Sequence, residues 1–301
     1  MSVSIVIPAF NAAWCIERAV RSCQAQTLPA DEIIIVDDCS TDNTPTVVRD
    51  LMCRDSRIVC YRLQKNGGHL AALTFGAQKS TSDWIALLDA DDELVPDSIR
   101  TRVGAANAYF AETGVKPQLV YGDHVTTSFA RLRGEVFPYL CKELCLCQTT
   151  TMMLGKECVP DLPASDNPWN TDDEIVLAIG RKFHVVHCGA AVAKYYTHAS
   201  PTRMGNNPHK VFRGIRQLVH DHRADILRHH GVKGSFLWRL RVLRAFVRYQ
   251  GLIHSAKMAE PHPGLADAIT LVPLRLYLRG LHHMHRFLNR LLKNTFETDY
   301  F

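Results

Sequence analysis

No uninterrupted apolar run in this chain of 301 residues approaches the roughly 20 positions needed to cross a bilayer, so no membrane-spanning helix is expected. The opening Met1-Ser2-Val3-Ser4-Ile5-Val6-Ile7-Pro8 lacks a basic segment followed by an apolar one, so no secretory signal is read there. Paired cysteine spacing is missing as well. The ten cysteines are scattered, mostly inside apolar segments, and the one cluster, Cys141-x3-Cys145-x-Cys147, lacks the spacing of a zinc site. Reduced thiols of a cytosolic protein are the expectation. There is no internal repeat and no low-complexity tract. What remains, 47% apolar and 22% charged, is an ordinary globular composition, long enough for one large or two modest domains.

Charge is short of balance in opposite senses at the two ends. Residues 1–200 hold 18 Lys and Arg against 24 Asp and Glu, a net of −6, while residues 201–301 hold 17 against 6, a net of +11. Ten of the fifteen histidines also fall in the last stretch. This asymmetry predicts a body over residues 1–205 and a basic, helical region over 206–301 that meets something anionic.

Along the first hundred residues, strand and helix signals alternate. Strands are expected at Ser4–Ile7 (stopped by Pro8), Glu32–Asp38, Arg57–Arg62 and Trp84–Leu88. Helices are expected at Ala12–Gln26, after the Ser40–Pro45 capping run, and at Leu70–Lys79. Glu32–Asp38 is apolar on both faces and therefore reads as central and parallel. Repeated units of this length imply an α/β, doubly wound, mostly parallel sheet. Further strands are read at Leu119–Asp123, Thr149–Leu154 and Phe183–His187, a loop at Pro160–Asn170, a helix from Asp172 to about Gly180, and helix throughout from His209.

The most informative run is Trp84-Ile85-Ala86-Leu87-Leu88-Asp89-Ala90-Asp91-Asp92-Glu93, an apolar strand ending in four acids within five positions. Such a strand delivers carboxylates to the carboxyl edge of a sheet, where open α/β folds bind ligands. Carboxylates this close repel one another unless a cation or hydrogen-bond donors neutralise them. Hard oxygen ligands of this kind suit Mg²⁺ or Mn²⁺ alongside substrate phosphates. The simpler reading of the run is an acidic cap for the helix that follows near Pro96–Ile99.

Four ordered motifs make the pattern specific. Ile5-Val6-Ile7-Pro8-Ala9-Phe10-Asn11, then Ile35-Val36-Asp37-Asp38-Cys39-Ser40-Thr41-Asp42, then Asn66-Gly67-Gly68 with Ala71-Ala72, then Leu88-Asp89-Ala90-Asp91-Asp92, resemble in order and spacing a family 2 glycosyltransferase with the GT-A fold, over roughly residues 3–205. The resemblance implies an inverting, metal-dependent transfer from a nucleoside-diphosphate sugar, with UDP the family's habit, to a glycan, lipid-linked or polysaccharide acceptor. It implies that Pro8, Ala9 and Asn11 border the nucleotide pocket and that Asp38, with Asp37, contacts the base or ribose. Gly67 and Gly68 would let backbone approach the nucleotide at a helix N-terminus that favours phosphate. Asp37-Asp38 could equally cap the strand end or the Ser40-x-Asp42 turn. Asp91 is expected on Mn²⁺ or Mg²⁺, Asp89 on the metal or the ribose, with Ala90 between them at the donor, and His198 as a late ligand of the metal or a contact of the diphosphate. The acid pair at a helix start maps onto Asp172-Asp173, with Asp173 expected as the base and Asp172 the alternative one position away.

Three departures stand out. Leu73-Thr74 replaces a frequent Arg-Asn, Tyr196 stands where an Arg is common, and Cys39 replaces a frequent Gly, which asks only for a different backbone angle. Between Ile269 and Lys293, and again between Phe236 and Tyr249, apolar residues mix with arginines on one helical face. Residues 236–293 are thus candidates to lie on an anionic membrane, or to pack on the catalytic body or a second subunit. A cytoplasmic protein, peripheral on the inner face of the cytoplasmic membrane, is the resulting expectation. Nothing resembles a nucleic-acid recognition module. Two rival classes compete with this reading: a degenerate, binding-only relative, and a nucleotidyltransferase, whose Gly-rich basic first loop Pro8-Ala9-Phe10-Asn11 does not match.

Overall fold

The computed structural model describes residues 1–140, 147–163 and 171–196, with single positions between 217 and 229. These belong to a compact unit, Met1–Phe246; a second, Val247–Phe301, lies outside the described residues, as do most of the basic region and its amphipathic stretches.

The chain builds β1 (Val3–Ala9), α1 (Ile16–Gln24), β2 (Glu32–Asp37), α2 (Thr44–Arg54), β3 (Ile58–Arg62), α3 (His69–Lys79), β4 (Trp84–Leu87), β5 (Glu93–Leu94), α4 (Ser98–Thr113), β6 (Leu119–His124), β7 (Arg133–Gly134), α5 (Phe137–Leu140), β8 (Met152–Gly155), α6 (Thr171–Gly180) and β9 (Val185–Lys194). The sheet runs β3-β2-β1-β4-β8-β6-β9-β5, with β7 also pairing β9. β3, β2, β1 and β4 are parallel; β8 runs against both β4 and β6, and β6 and β9 are parallel. The expected α/β sheet is present, mostly parallel with an antiparallel insertion.

Alternation along the central strands fills two cores. Ile5, Ile7, Ile33 and Ile35 face Ile16, Ala19, Val20 and Cys23 of α1 and Ile99, Val103 and Ala106 of α4. Val6, Ile34 and Val36 face Leu70, Leu73 and Ala77 of α3, in the same core as Ile175, Val176 and Ile179 of α6. The two-residue period of a strand puts both sets in one segment, which is why these strands read as continuous apolar runs. At Gly76 a Cβ would come within 2.5 Å of Val6 Cγ1, so α3 lies on β1 as closely as it does only because that position has no side chain.

The strand order reverses at β1: the chain steps outward through β2 and β3, then returns to the other side as β4. In open α/β sheets this switch point is where the strand ends part and ligands enter. Here Pro8 helps to part them. Val6 O accepts the Leu88 N–H at 3.0 Å, but the β1–β4 ladder ends at Val6–Leu87. Pro8 sits on the same hydrogen-bonding side of β1 with no N–H to offer, while β1 continues on β2 as far as Ala9–Asp37. Pro8 was expected to stop the strand, yet it lies inside it, because only the β4 side loses a bond.

Two later expectations need correction. The strand expected at Thr149–Leu154 begins only at Met152, and Thr149–Thr151 form a 3-10 turn. The Thr149 and Thr150 hydroxyls are drawn off to acidic side chains and that of Thr151 to the Gln148 carbonyl, which competes with the ladder. The strand expected at Phe183–His187 runs instead from Val185 to Lys194, extended because β6 and β5 both pair with it. The described positions from Gln217 to His229 are mostly helical, and His222, Asp225 and His229 touch Glu174, Arg181 and Phe137 of the body.

Candidate active site

Two groups of acids stand at the carboxyl edge of the parallel strands. The first follows β2. Asp37 is buried and accepts hydrogen bonds from the Ser40 N–H at 2.9 Å and from Arg62 at 2.7 Å. Asp38, also buried, accepts the Gly67 N–H on one oxygen at 2.7 Å and the Gly68 N–H on the other at 2.8 Å. Gly68 has φ +85°, a conformation that costs glycine nothing and turns both amides toward the carboxylate. Burial pushes the Asp38 carboxyl above its ordinary value against the pull of those two amides. The amides expected to meet phosphate are thus engaged by Asp38 in this structure.

Opposite this corner, the turn after β1 is stitched to the turn after β2. Asn11, at φ +52°, accepts the Thr41 N–H on Oδ1 at 2.8 Å and gives its own N–H to Ser40 Oγ at 3.0 Å. Pro8 and Ala9 are buried behind it. Cys39 holds φ +65°, the left-handed region that a glycine would occupy. The expected change of backbone angle is therefore absent: the turn is kept, and a residue with a Cβ carries its strain.

The second group follows β4. Ligand oxygens of Asp89, Asp91 and Asp92 all lie within 4.8 Å of one another. Asp92 is buried, accepting Thr150 Oγ1–H at 2.8 Å on Oδ2 and the Tyr196 N–H at 3.0 Å on Oδ1. Burial, with the charge of Asp89 next, pushes its carboxyl up to about 8. The Asp89 N–H donates to the same threonine oxygen at 3.2 Å. His69, the first residue of α3, places Nε2 2.7 Å from Asp89 Oδ1. Burial would raise Asp89, but the imidazole's charge and hydrogen bond outweigh it and hold the carboxyl below its ordinary value. The same pairing raises His69 against the opposing effect of burial. Three carboxylates at this separation form a hard-oxygen donor set of the kind Mg²⁺ and Mn²⁺ take, so the residues fit a divalent cation.

The third participant is α6. Asp172 accepts the Thr149 N–H at 2.8 Å and the Thr149 hydroxyl. Burial, then the charges of Asp89 and Asp173, raise its carboxyl to about 6. Asp172 thus feels Asp89 and His69, and its neighbour Asp173 is buried, 9% exposed. His198 lies outside the described residues. Tyr196, which replaces the expected arginine, lies under the guanidinium of Arg18, 4.1 Å from its ring centroid, and Arg18 also donates to Asp91 O. An arginine from α1 therefore reaches this corner although the local sequence has none.

His69, Thr149, Thr150 and Arg18 escaped the sequence reading. His69 had a signal, since it directly follows Gly67-Gly68. Threonine favours strands, which hides the turn at Thr149–Thr151. Nothing local to Arg18 marks it.

The model of the Glycosyl transferase family 2 matches residues 4–150. Succinoglycan biosynthesis protein ExoO of Rhizobium meliloti is 37% identical over 113 residues, which are 38% of this chain and 32% of that one. The GalNAc(5)-diNAcBac-PP-undecaprenol beta-1,3-glucosyltransferase of Campylobacter jejuni is 34% identical over 111 residues, 36% of each chain. The match spans only about a third of these relatives' length. Among solved structures, the mannosyltransferase PcManGT of Pyrobaculum calidifontis in complex with GDP-Man and Mn²⁺ superposes with a TM-score of 0.60 at 17% identity, covering 99% of this chain and 88% of that one. S. aureus TarS in complex with UDP-GlcNAc gives 0.53 at 18%, covering 73% and 66%. At such identities the structures establish the fold, and the sequence match establishes the family of the segment it spans: residues 4–150 belong to glycosyl transferase family 2, and the fold is the GT-A architecture.

Proposed function

We propose that this protein transfers a sugar, with inversion, from a nucleoside-diphosphate sugar to a hydroxyl of a polysaccharide or lipid-linked glycan acceptor, using a divalent cation. The observation that carries the reading is the gathering of Asp89, Asp91 and Asp92 within 4.8 Å at the switch point of the sheet. Relatives named for succinoglycan biosynthesis and for an undecaprenol-linked glycan suggest the acceptor class, and neighbours bound to UDP-GlcNAc and to GDP-Man with Mn²⁺ suggest the donor class.

Asp91 and Asp89, with Asp92 behind them and His198 as a further candidate, would hold Mn²⁺ or Mg²⁺. Bound there, the cation would neutralise the diphosphate leaving group. Pro8, Ala9 and Asn11 border the donor pocket, with Ala90 beside the cation ligands. Asp37, held by Ser40, and Asp38, held by Gly67 and Gly68, shape its floor. Asp172 is the better-placed base: raised to about 6, it is ionised at neutral pH yet basic enough to take the acceptor's proton. Asp173, whose charge helps to raise Asp172, is the alternative base one position away. Residues 206–301 form a basic appendage, and 236–293 bring the enzyme to an anionic membrane surface that presents a lipid-linked acceptor.

The test is a thermal-shift panel of UDP, GDP, CDP and dTDP, each with and without Mn²⁺, on the full chain. One diphosphate should stabilise the protein only when metal is present, as a ligand specific to the folded state must. Asp91→Ala should erase that shift. No shift with any of the four at millimolar concentration overturns the donor-site reading in favour of a binding-only role for the fold.

A further inference from the structure

The two acidic corners are linked by one side chain. Asp38 grips the Gly67 and Gly68 amides, which fixes the backbone immediately before His69. His69 opens α3 and reaches across to Asp89 Oδ1 at 2.7 Å. Its other ring nitrogen, Nδ1, is buried without a hydrogen-bond partner among the described residues. A buried polar atom left unpaired is destabilising, so an imidazole is a poor choice if its task is only to fill space. Its bond to Asp89 is what distinguishes it from an apolar side chain of similar size. Asp89 is anchored a second way, through its own N–H on Thr150 Oγ1. Backbone and carboxylate of Asp89 are thus held from different elements, Thr150 before β8 and His69 on α3.

We propose that His69 is a positioning residue. It holds the Asp89 carboxylate in one orientation by bonding Oδ1, so that the remaining oxygen joins Asp91 and Asp92 on a divalent cation. Through Gly67 and Gly68, Asp38 sets the place of His69, so the corner after β2 controls the geometry of the corner after β4. Ligating side chains that are themselves hydrogen-bonded lose affinity when that outer partner is removed, typically about 10- to 100-fold. The inference rests on the reading of Asp89, Asp91 and Asp92 as a cation site.

The experiment measures Mn²⁺ affinity of the full chain from the free-ion electron paramagnetic resonance signal, in the presence of UDP and, separately, GDP, well below the melting temperature. His69→Leu should weaken Mn²⁺ binding roughly 10- to 100-fold. His69→Gln, whose amide nitrogen occupies the place of Nε2, should stay within a few-fold of wild type. Asp38→Asn, which removes one of the two oxygens that hold Gly67 and Gly68 without touching Asp89, should fall between them. An unchanged Mn²⁺ constant in His69→Leu overturns the inference, even if that variant melts earlier, because a merely structural role lowers stability and not the affinity of the folded protein. Equal losses in His69→Leu and His69→Gln also overturn it, since the hydrogen bond would then not be the cause. If wild type binds no Mn²⁺ with either nucleotide, the cation-site reading itself has failed, and that is a distinct result from intact binding indifferent to His69.

Discussion

The acids after β2 and the acids after β4 sit on the same sheet edge, yet they are built for opposite ends. Asp37 and Asp38 have their oxygens taken by internal donors: the Ser40 amide, Arg62 and the amides of Gly67 and Gly68. Asp89, Asp91 and Asp92 are crowded against one another, and one of them rises to about 8 under burial and like charge. The first corner is a finished hydrogen-bonded scaffold. In the second, Asp92 is also engaged, by Thr150 and Tyr196, and Asp89 by His69, but three carboxylates remain within 4.8 Å of one another, a concentration of negative charge that a cation would relieve. Motif reading alone gives both corners the same ligand-binding role, so the difference lies in partners and not in residue type.

The sharpest way to break this comparison acts on the third acid. Asp172→Asn should lower kcat by about 10²- to 10⁴-fold, the usual worth of a positioned general base, while leaving Mn²⁺-dependent nucleotide binding unchanged in the thermal-shift assay. Asp173→Asn should cost far less; the reverse order would return the base to Asp173. Next in size is the scaffold corner. Asp38→Ala should destabilise the fold by about 2 kcal/mol, since it leaves two amides of a buried turn without their acceptor. In a protein of this size that lowers Tm by roughly 3 °C. A drop confined to activity would mean that Asp38 belongs with the ligand-facing acids.

The pH dependence separates the corners in another way. Asp92, raised to about 8 by burial and then by Asp89, keeps its proton in the folded chain where the unfolded chain has released it, as does Asp172 up to about 6. Between the unfolded carboxylate value near 4 and these folded values, the native state binds more protons, so metal-free stability falls as pH rises. Tm without metal should therefore decline from about pH 5 to about pH 8, and Asp92→Asn should remove most of that slope. Saturating Mn²⁺ with nucleotide should flatten it. The smallest effect is expected at Cys39. Cys39→Gly relieves a left-handed backbone at φ +65° but frees the unfolded chain, so a net gain of at most about 1 kcal/mol is expected by urea unfolding, with no change in donor binding.

Much of this protein was determined by sequence. Strand–helix alternation and apolar runs such as Ile33–Val36 dictate a parallel α/β sheet, because a strand buried on both faces has no polar side to show. The acid-terminated strand at Asp89, the Asp37-Asp38 pair and the helix opening at Asp172 were all legible, since local chemistry places carboxylates at strand and helix ends. Tertiary structure alone decided which of them face one another. Thr149 and Thr150 are 23 and 58 positions from the acids they serve, Arg18 is 73 from Asp91, and His69 is 20 from Asp89. Whether an acid is saturated or left to repel its neighbours depends on such long-range partners. No local pattern encodes them, and here they turn one repeated residue type into a hydrogen-bonded turn at one corner and a cluster of three carboxylates at the other.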